Sequence, residues 1–123
     1  MARLWLLLAA VAGCSGVALG AYGAHGLKRL LTPEYLAIFQ TATQYQLIHA
    51  LALFGVSLLA TQRGGRLVCA AGSLFTLGIL LFCGSLYVLT LTGTTSLGMV
   101  APMGGLSFML GWLLLGLAAL KKA

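Results

Sequence analysis

The chain has 123 residues, 61% of them hydrophobic and 7% charged, with a mean hydropathy of +1.08. A soluble domain of this length could not solvate such a surface, so composition places the chain in a membrane. Seven basic residues stand against one acid, a net charge of +6. The cations sit between apolar runs, where they set orientation and meet membrane lipids, and no aromatic-basic patch points to nucleic acid. One acid makes paired-carboxylate catalysis within a subunit untenable. No phosphate loop, G-x-S-x-G turn or Ser-His-Asp set can be assembled, so no catalytic residue is assigned.

The first expected span covers residues 4–22, after Arg3. Ala12, Gly16, Gly20 and Ala24 recur every fourth residue and form a small-residue face with a G-x-x-x-G core, read as a helix-packing surface. Val11-Ala12-Gly13-Cys14 resembles a lipoprotein cleavage site, but the apolar sequence continues past Cys14, which argues against it. His25 follows among glycines, ahead of Lys28 and Arg29.

The second span covers 38–61 and is preceded by an amphipathic helix start over 33–41. Thr32 suits the N-cap, Pro33 the first helical position and Glu34 the first turn. Glu34, Thr41, Tyr45 and His49 lie on one stripe, with Gln46 one step to the side. His49 is ionisable and lies well inside a span, which makes it a functional candidate by default. It could bind a polar headgroup or a quinone, ligate haem or a metal, or shuttle a proton. It could equally be a neutral imidazole that hydrogen-bonds across helices, to Ser85 or to a first-helix carbonyl near Gly20. Glu34 lies 15 residues before it, roughly 22 Å along a straight helix, and cannot pair with it.

Arg63-Gly64-Gly65-Arg66 reads as a tight basic turn. The third span covers 67–91 and carries Gly72, Ser73, Thr76, Gly84, Ser85 and Thr90, with Tyr87 near its end. An uncharged connection leads to the fourth span, 102–120, opened by Pro102 and closed by Lys121 and Lys122. Gly104, Ser107 and Gly111 share one face of it, a second close-approach surface. Cys14, Cys69 and Cys83 have no metal-ligand spacing, and Cys69 and Cys83 stand about 20 Å apart along one helix, so they read as packing residues. A structural zinc site needs more ligands than two histidines supply, and neither a metal nor a cofactor is implied.

Four motifs carry a resemblance. Leu19-Gly20-Ala21-Tyr22-Gly23-Ala24-His25-Gly26, Thr43-Gln44-Tyr45-Gln46-Leu47-Ile48-His49-Ala50-Leu51-Ala52, Leu81-Phe82-Cys83-Gly84-Ser85-Leu86-Tyr87, and Ala101-Pro102-Met103-Gly104-Gly105 with Gly111-Trp112 occur in order. Together they resemble the YgdD-like family of small inner-membrane proteins. The resemblance implies a multi-pass protein of the bacterial cytoplasmic membrane, with distant eukaryotic transmembrane relatives. It implies no activity, because that family is one of unknown function.

The expected fold is all-α, a single domain forming a four-transmembrane-helix bundle. Arg3, Arg63, Arg66, Lys121 and Lys122 on one side outnumber Lys28 and Arg29 on the other, so both termini are expected in the cytoplasm. The leading expectation is a non-enzymatic protein that acts by helix packing, as a homo-oligomer or as a small part of a larger membrane complex. The packing residues are then Gly16, Gly20, Gly84, Gly104, Ser107 and Gly111. The alternative is small-molecule, lipid or ion binding or transport in a cavity lined by Tyr45 and His49, with Gln46, Thr41, Ser85, Tyr87 and His25 contributing. A haem- or quinone-linked redox role is the third.

Overall fold

The first helix, α1, runs Ala2–His25 and leads through a single 3-10 turn, Leu27–Arg29, to α2, Pro33–Gln62. The computed structural model describes residues 1–63 and 65–121. Gly64, Lys122 and Ala123, and with them parts of the expected basic turn and basic C-terminus, lie outside the described residues. The third span is Arg66–Thr92 and is built of two α-helical pieces, α3 (Arg66–Gly78) and α4 (Gly84–Thr92), joined by a π-helical turn at Ile79–Cys83. A 3-10 turn, Thr95–Met99, precedes α5, Ala101–Leu120. Among the described residues, four helical stretches are therefore long and apolar enough to cross a membrane.

Local chemistry explains the boundaries. Thr32 accepts a hydrogen bond from the Tyr35 amide at 3.2 Å, and Pro33 occupies the first turn, where its missing N–H matters least. Gly93 ends α4 at φ +74°, and Gly65 precedes α3 at φ +96°; both are left-handed conformations that glycine adopts without a Cβ penalty. Arg63 Nη1 donates to the Ala118 carbonyl at 2.9 Å, placing a cation on the free end of α5.

Helix α2 is the spine. It packs on α1 along one side and on α3, the π turn and α4 along another, while α5 packs mainly on α3 and the π turn. Its buried positions are Phe39, Ala42, Thr43, Gln46, His49, Ala50, Ala52, Leu53, Val56 and Ser57. Most of them repeat at the three-and-four spacing of a bundle seam. In α1 the buried face is Trp5, Ala9, Ala12, Gly16 and Gly23, and Gly20 is not part of it.

That corrects the expected every-fourth-residue face. A strict four-residue step drifts about 40° around the helix each time, whereas a partner helix follows the average of 3.5. A Cβ built on Gly20 meets nothing within 4 Å, and the same holds for Gly84. Neither glycine is a point of close approach between helices of this chain.

The buried glycines also work differently from the backbone-to-backbone approach expected of them. Most are sockets for a large side chain. Trp5 lies on Gly72, Phe108 on Gly78, Phe75 on Gly111 and Leu47 on Gly16, each close enough that a Cβ would collide, and Phe39 lies on Gly23 with only a tight fit left for one. Gly104 is the exception, because its Cβ position falls on the main chain of Phe82, 2.7 Å from Cα and closer still to the amide nitrogen. Here α5 crosses the π turn at backbone contact. Ser107, one turn further, donates to the Leu74 carbonyl at 2.7 Å.

Candidate functional site

Two polar nodes sit three residues apart on α2, and both are buried. Gln46 is 5% exposed and His49 is 3%. Unpaired polar groups are costly in hydrocarbon, so the partners of these two side chains decide what they do.

Gln46 joins three helices. Its amide nitrogen donates to the Ala12 carbonyl at 2.9 Å and to Ser15 Oγ at 2.8 Å, both on α1. Its Oε1 accepts from Tyr87 Oη on α4 at 2.6 Å. Both amide hydrogens are therefore used, each on a separate acceptor. Tyr87 is held in turn by Phe39, with ring centroids 5.1 Å apart.

His49 joins α2 to α5 inside an aromatic box. Its ring stacks on Phe108 with centroids 3.6 Å apart and planes 10° from parallel, and Phe75 and Trp112 flank it at 5.5 and 5.9 Å. Nδ1 lies 2.7 Å from the Tyr45 carbonyl, and the indole Nε1 of Trp112 donates to Nε2 at 3.1 Å. A carbonyl only accepts and an indole N–H only donates, so the hydrogen is on Nδ1 and Nε2 offers its lone pair. The ring is a neutral imidazole with both nitrogens occupied. Neither nitrogen is free to ligate haem or a metal. Among the described residues no three His, Cys, Asp or Glu side chains gather into a metal-binding group.

The comparisons with known proteins point the same way as the spans. The family model described as "Protein of unknown function (DUF423)" matches residues 19–105. The UPF0382 membrane protein YwdK of Bacillus subtilis is 41% identical over 120 residues, covering 97% of this chain and 98% of that protein. The chain belongs to the DUF423 family. A UPF0382 membrane protein of Haemophilus influenzae is 36% identical over 122 residues, covering 99% of this chain and 98% of its own. The UPF0382 inner membrane protein YgdD of Escherichia coli is 36% identical over 119 residues, 97% of this chain and 91% of that one. No solved structure matches the chain. This DUF423 protein is thus a multi-pass protein of the bacterial cytoplasmic membrane, in a family without an assigned activity.

Within it the expected site residues separate. Gln46 and Tyr87 meet directly, and Tyr45 and His49 share the second node through the backbone bond. Tyr45 itself is 40% exposed and leans on Phe82, with centroids 4.9 Å apart. Thr41 is exposed and bonds its own helix at the Ala37 carbonyl. Ser85 is buried, but its hydroxyl returns to the Phe82 carbonyl and does not reach His49. His25 is exposed at the end of α1, outside either node. The stripe from Glu34 to His49 is therefore not a lining: Glu34, Thr41 and Tyr45 are exposed, and only His49 turns inward.

Sequence reasoning missed Trp112, Phe108 and Phe75. A signal for Trp112 was present. Tryptophan favours the interface, so one near the middle of an apolar span carries an N–H that needs an acceptor inside the bundle. Replacing His49 with Leu is expected to lower stability in detergent by about 1–2 kcal/mol, because the Trp112 N–H loses its acceptor and the ring stack is lost. His49→Gln, whose side-chain oxygen can accept, is expected to lose less. Thermal melting of both variants checks the order; a His49→Leu protein as stable as His49→Gln would refute it.

Proposed function

We propose that this protein is a non-enzymatic membrane protein that works through its helix surfaces, by self-association or as a small subunit of a larger membrane complex. The observation that supports this reading is how the buried polar groups are spent. The whole side-chain amide of Gln46 and Nε2 of His49 are consumed in holding helices together, and Nδ1 of His49 is taken by the Tyr45 carbonyl of its own helix. The outward faces of α1 and α5 are rich in exposed Leu, Val and Met, including Leu6, Leu7, Val11, Leu106, Met109 and Leu113. The groove between α1 and α2, about 410 Å³, is floored by the small residues Ala9, Ala10, Gly13 and Ala50 and suits close approach of another helix.

Native mass spectrometry of the protein released from a mild detergent tests this. The expected spectrum shows a defined oligomer or a retained partner protein. A monomer carrying a stoichiometric small molecule other than a phospholipid would replace this reading with ligand binding.

The orientation proposed with it has both termini in the cytoplasm, on the excess of Arg and Lys at that end. The Arg63–Ala118 bond and the Trp5–Gly72 contact bring the start of α1, the 63–66 connection and the end of α5 to one end of the bundle. A reporter active only in the cytoplasm, fused after Ala123, should be active. Silence in a stably expressed fusion would reverse the topology.

A further inference from the structure

We infer that the seam between α1 and α3 is a cleft for one anionic phospholipid, with its phosphate at the Arg3–Arg66 end and an acyl chain running inward past Leu8 and Leu80. The two helices start at the same end of the bundle and meet where the Trp5 ring lies on Gly72. Along the seam run two adjoining cavities. One, about 330 Å³, is lined by Trp5, Leu8, Ser73, Thr76, Leu77 and Leu80. The other, about 210 Å³, shares Leu8, Thr76 and Leu80 with it and reaches Ser15 and Gln46.

Three features favour this occupant. The first is length. From Arg3 to Ser15 the seam follows twelve residues of helix, roughly 18 Å, close to the depth of one leaflet in a ~30 Å hydrocarbon core. The second is the polar atom left over. Trp5 is 3% exposed, and its indole Nε1 is a buried donor without a hydrogen-bond partner among the described residues. An unmet donor is costly in hydrocarbon; the Trp5 ring lines the first cavity, and a small turn of the indole would bring Nε1 to the ester and phosphate oxygens of a lipid, the acceptors available at this depth. The third is charge. Arg3 and Arg66 open α1 and α3 at this end, whereas the chain's only acid, Glu34, opens α2 at the other. Arg66 shares a face of α3 with Ser73, so this end of the cleft is cationic and, among the described residues, carries no acidic side chain; it selects an anionic headgroup over a zwitterionic one.

Bromine on an acyl chain quenches a tryptophan it touches, and this chain has only Trp5 and Trp112. The Trp112→Phe variant, reporting on Trp5 alone, is placed in phosphatidylcholine vesicles containing a minor share of phosphatidylglycerol. Either lipid is brominated in turn. Per mole of brominated lipid, phosphatidylglycerol is expected to quench Trp5 about tenfold more strongly, the preference expected of one to two cations at a headgroup. Arg3→Gln with Arg66→Gln should abolish that preference. Trp112, read alone in Trp5→Phe, faces bulk lipid and should show none. Equal quenching of Trp5 by both lipids would mean that the cleft takes bulk lipid only. No quenching would mean that another protein surface covers it. Either result overturns the inference. A second measurement uses the unaltered chain: native mass spectrometry after detergent exchange should retain one phosphatidylglycerol per subunit, and its absence would also overturn it.

Discussion

Gly104→Ala is expected to destabilise the bundle by about 3 kcal/mol, the upper range for forcing one group into a packed core. The added methyl would fall on the Phe82 main chain at the π turn, which cannot swing aside as a side-chain tip can. The usual gain of about 1 kcal/mol from replacing a helical glycine by alanine is too small to offset this. Gly20→Ala and Gly84→Ala are the internal controls. Their Cβ positions meet nothing within 4 Å, so the same substitution should be neutral or slightly stabilising. Melting temperatures of the three variants in one detergent give the comparison. A parent-like Gly104→Ala would show that α5 does not touch the third span at backbone distance.

Gln46→Leu should be the most damaging side-chain replacement that keeps volume nearly constant. It removes three hydrogen bonds among α1, α2 and α4 and strands the Tyr87 hydroxyl, whereas Ser15 keeps its bond to the Val11 carbonyl. Hydrogen bonds between membrane helices average about 0.6 kcal/mol, with a maximum near 1.7. A buried donor left unpaired adds about 1–3 kcal/mol. A loss of about 3 kcal/mol follows. Tyr87→Phe in the same chain removes the stranded donor, so the double variant should be more stable than the sum of the two single losses implies. Strict additivity in that cycle would show that Gln46 and Tyr87 do not bond.

The helical class, the number of spans and the start of α2 were legible because each depends on local composition. Thr32 and Pro33 cap α2 whatever it packs against, and apolar runs of span length have no soluble alternative. The two polar nodes were only half legible. Gln46 and His49 stand out as polar residues in an apolar span, but the Glu34–Thr41–Tyr45–His49 stripe does not say which of its members turn inward, and only His49 does. Stripe geometry describes one helix; the inward face depends on the neighbours on either side. With α1 and α4 on either side of Gln46, that residue lies at the centre of the buried seam and Tyr45 at its margin.

The glycines divide in the same way. The sequence by itself determined that this chain lives in a membrane as four helices, because hydrocarbon admits only backbones that satisfy their own hydrogen bonds. It also determined that small residues and a few polar ones would bear the packing. Only the tertiary structure decided which ones. Gly104 touches a backbone, Gly72, Gly78 and Gly111 receive rings, and Gly20 has open space where a side chain would stand. His49 meets Trp112, which lies 63 residues further along the chain. A glycine has no side chain to announce its neighbour, and an imidazole accepts many partners. Their roles are fixed by the distance and rotation of the next helix, which arise from the packing of all four spans together.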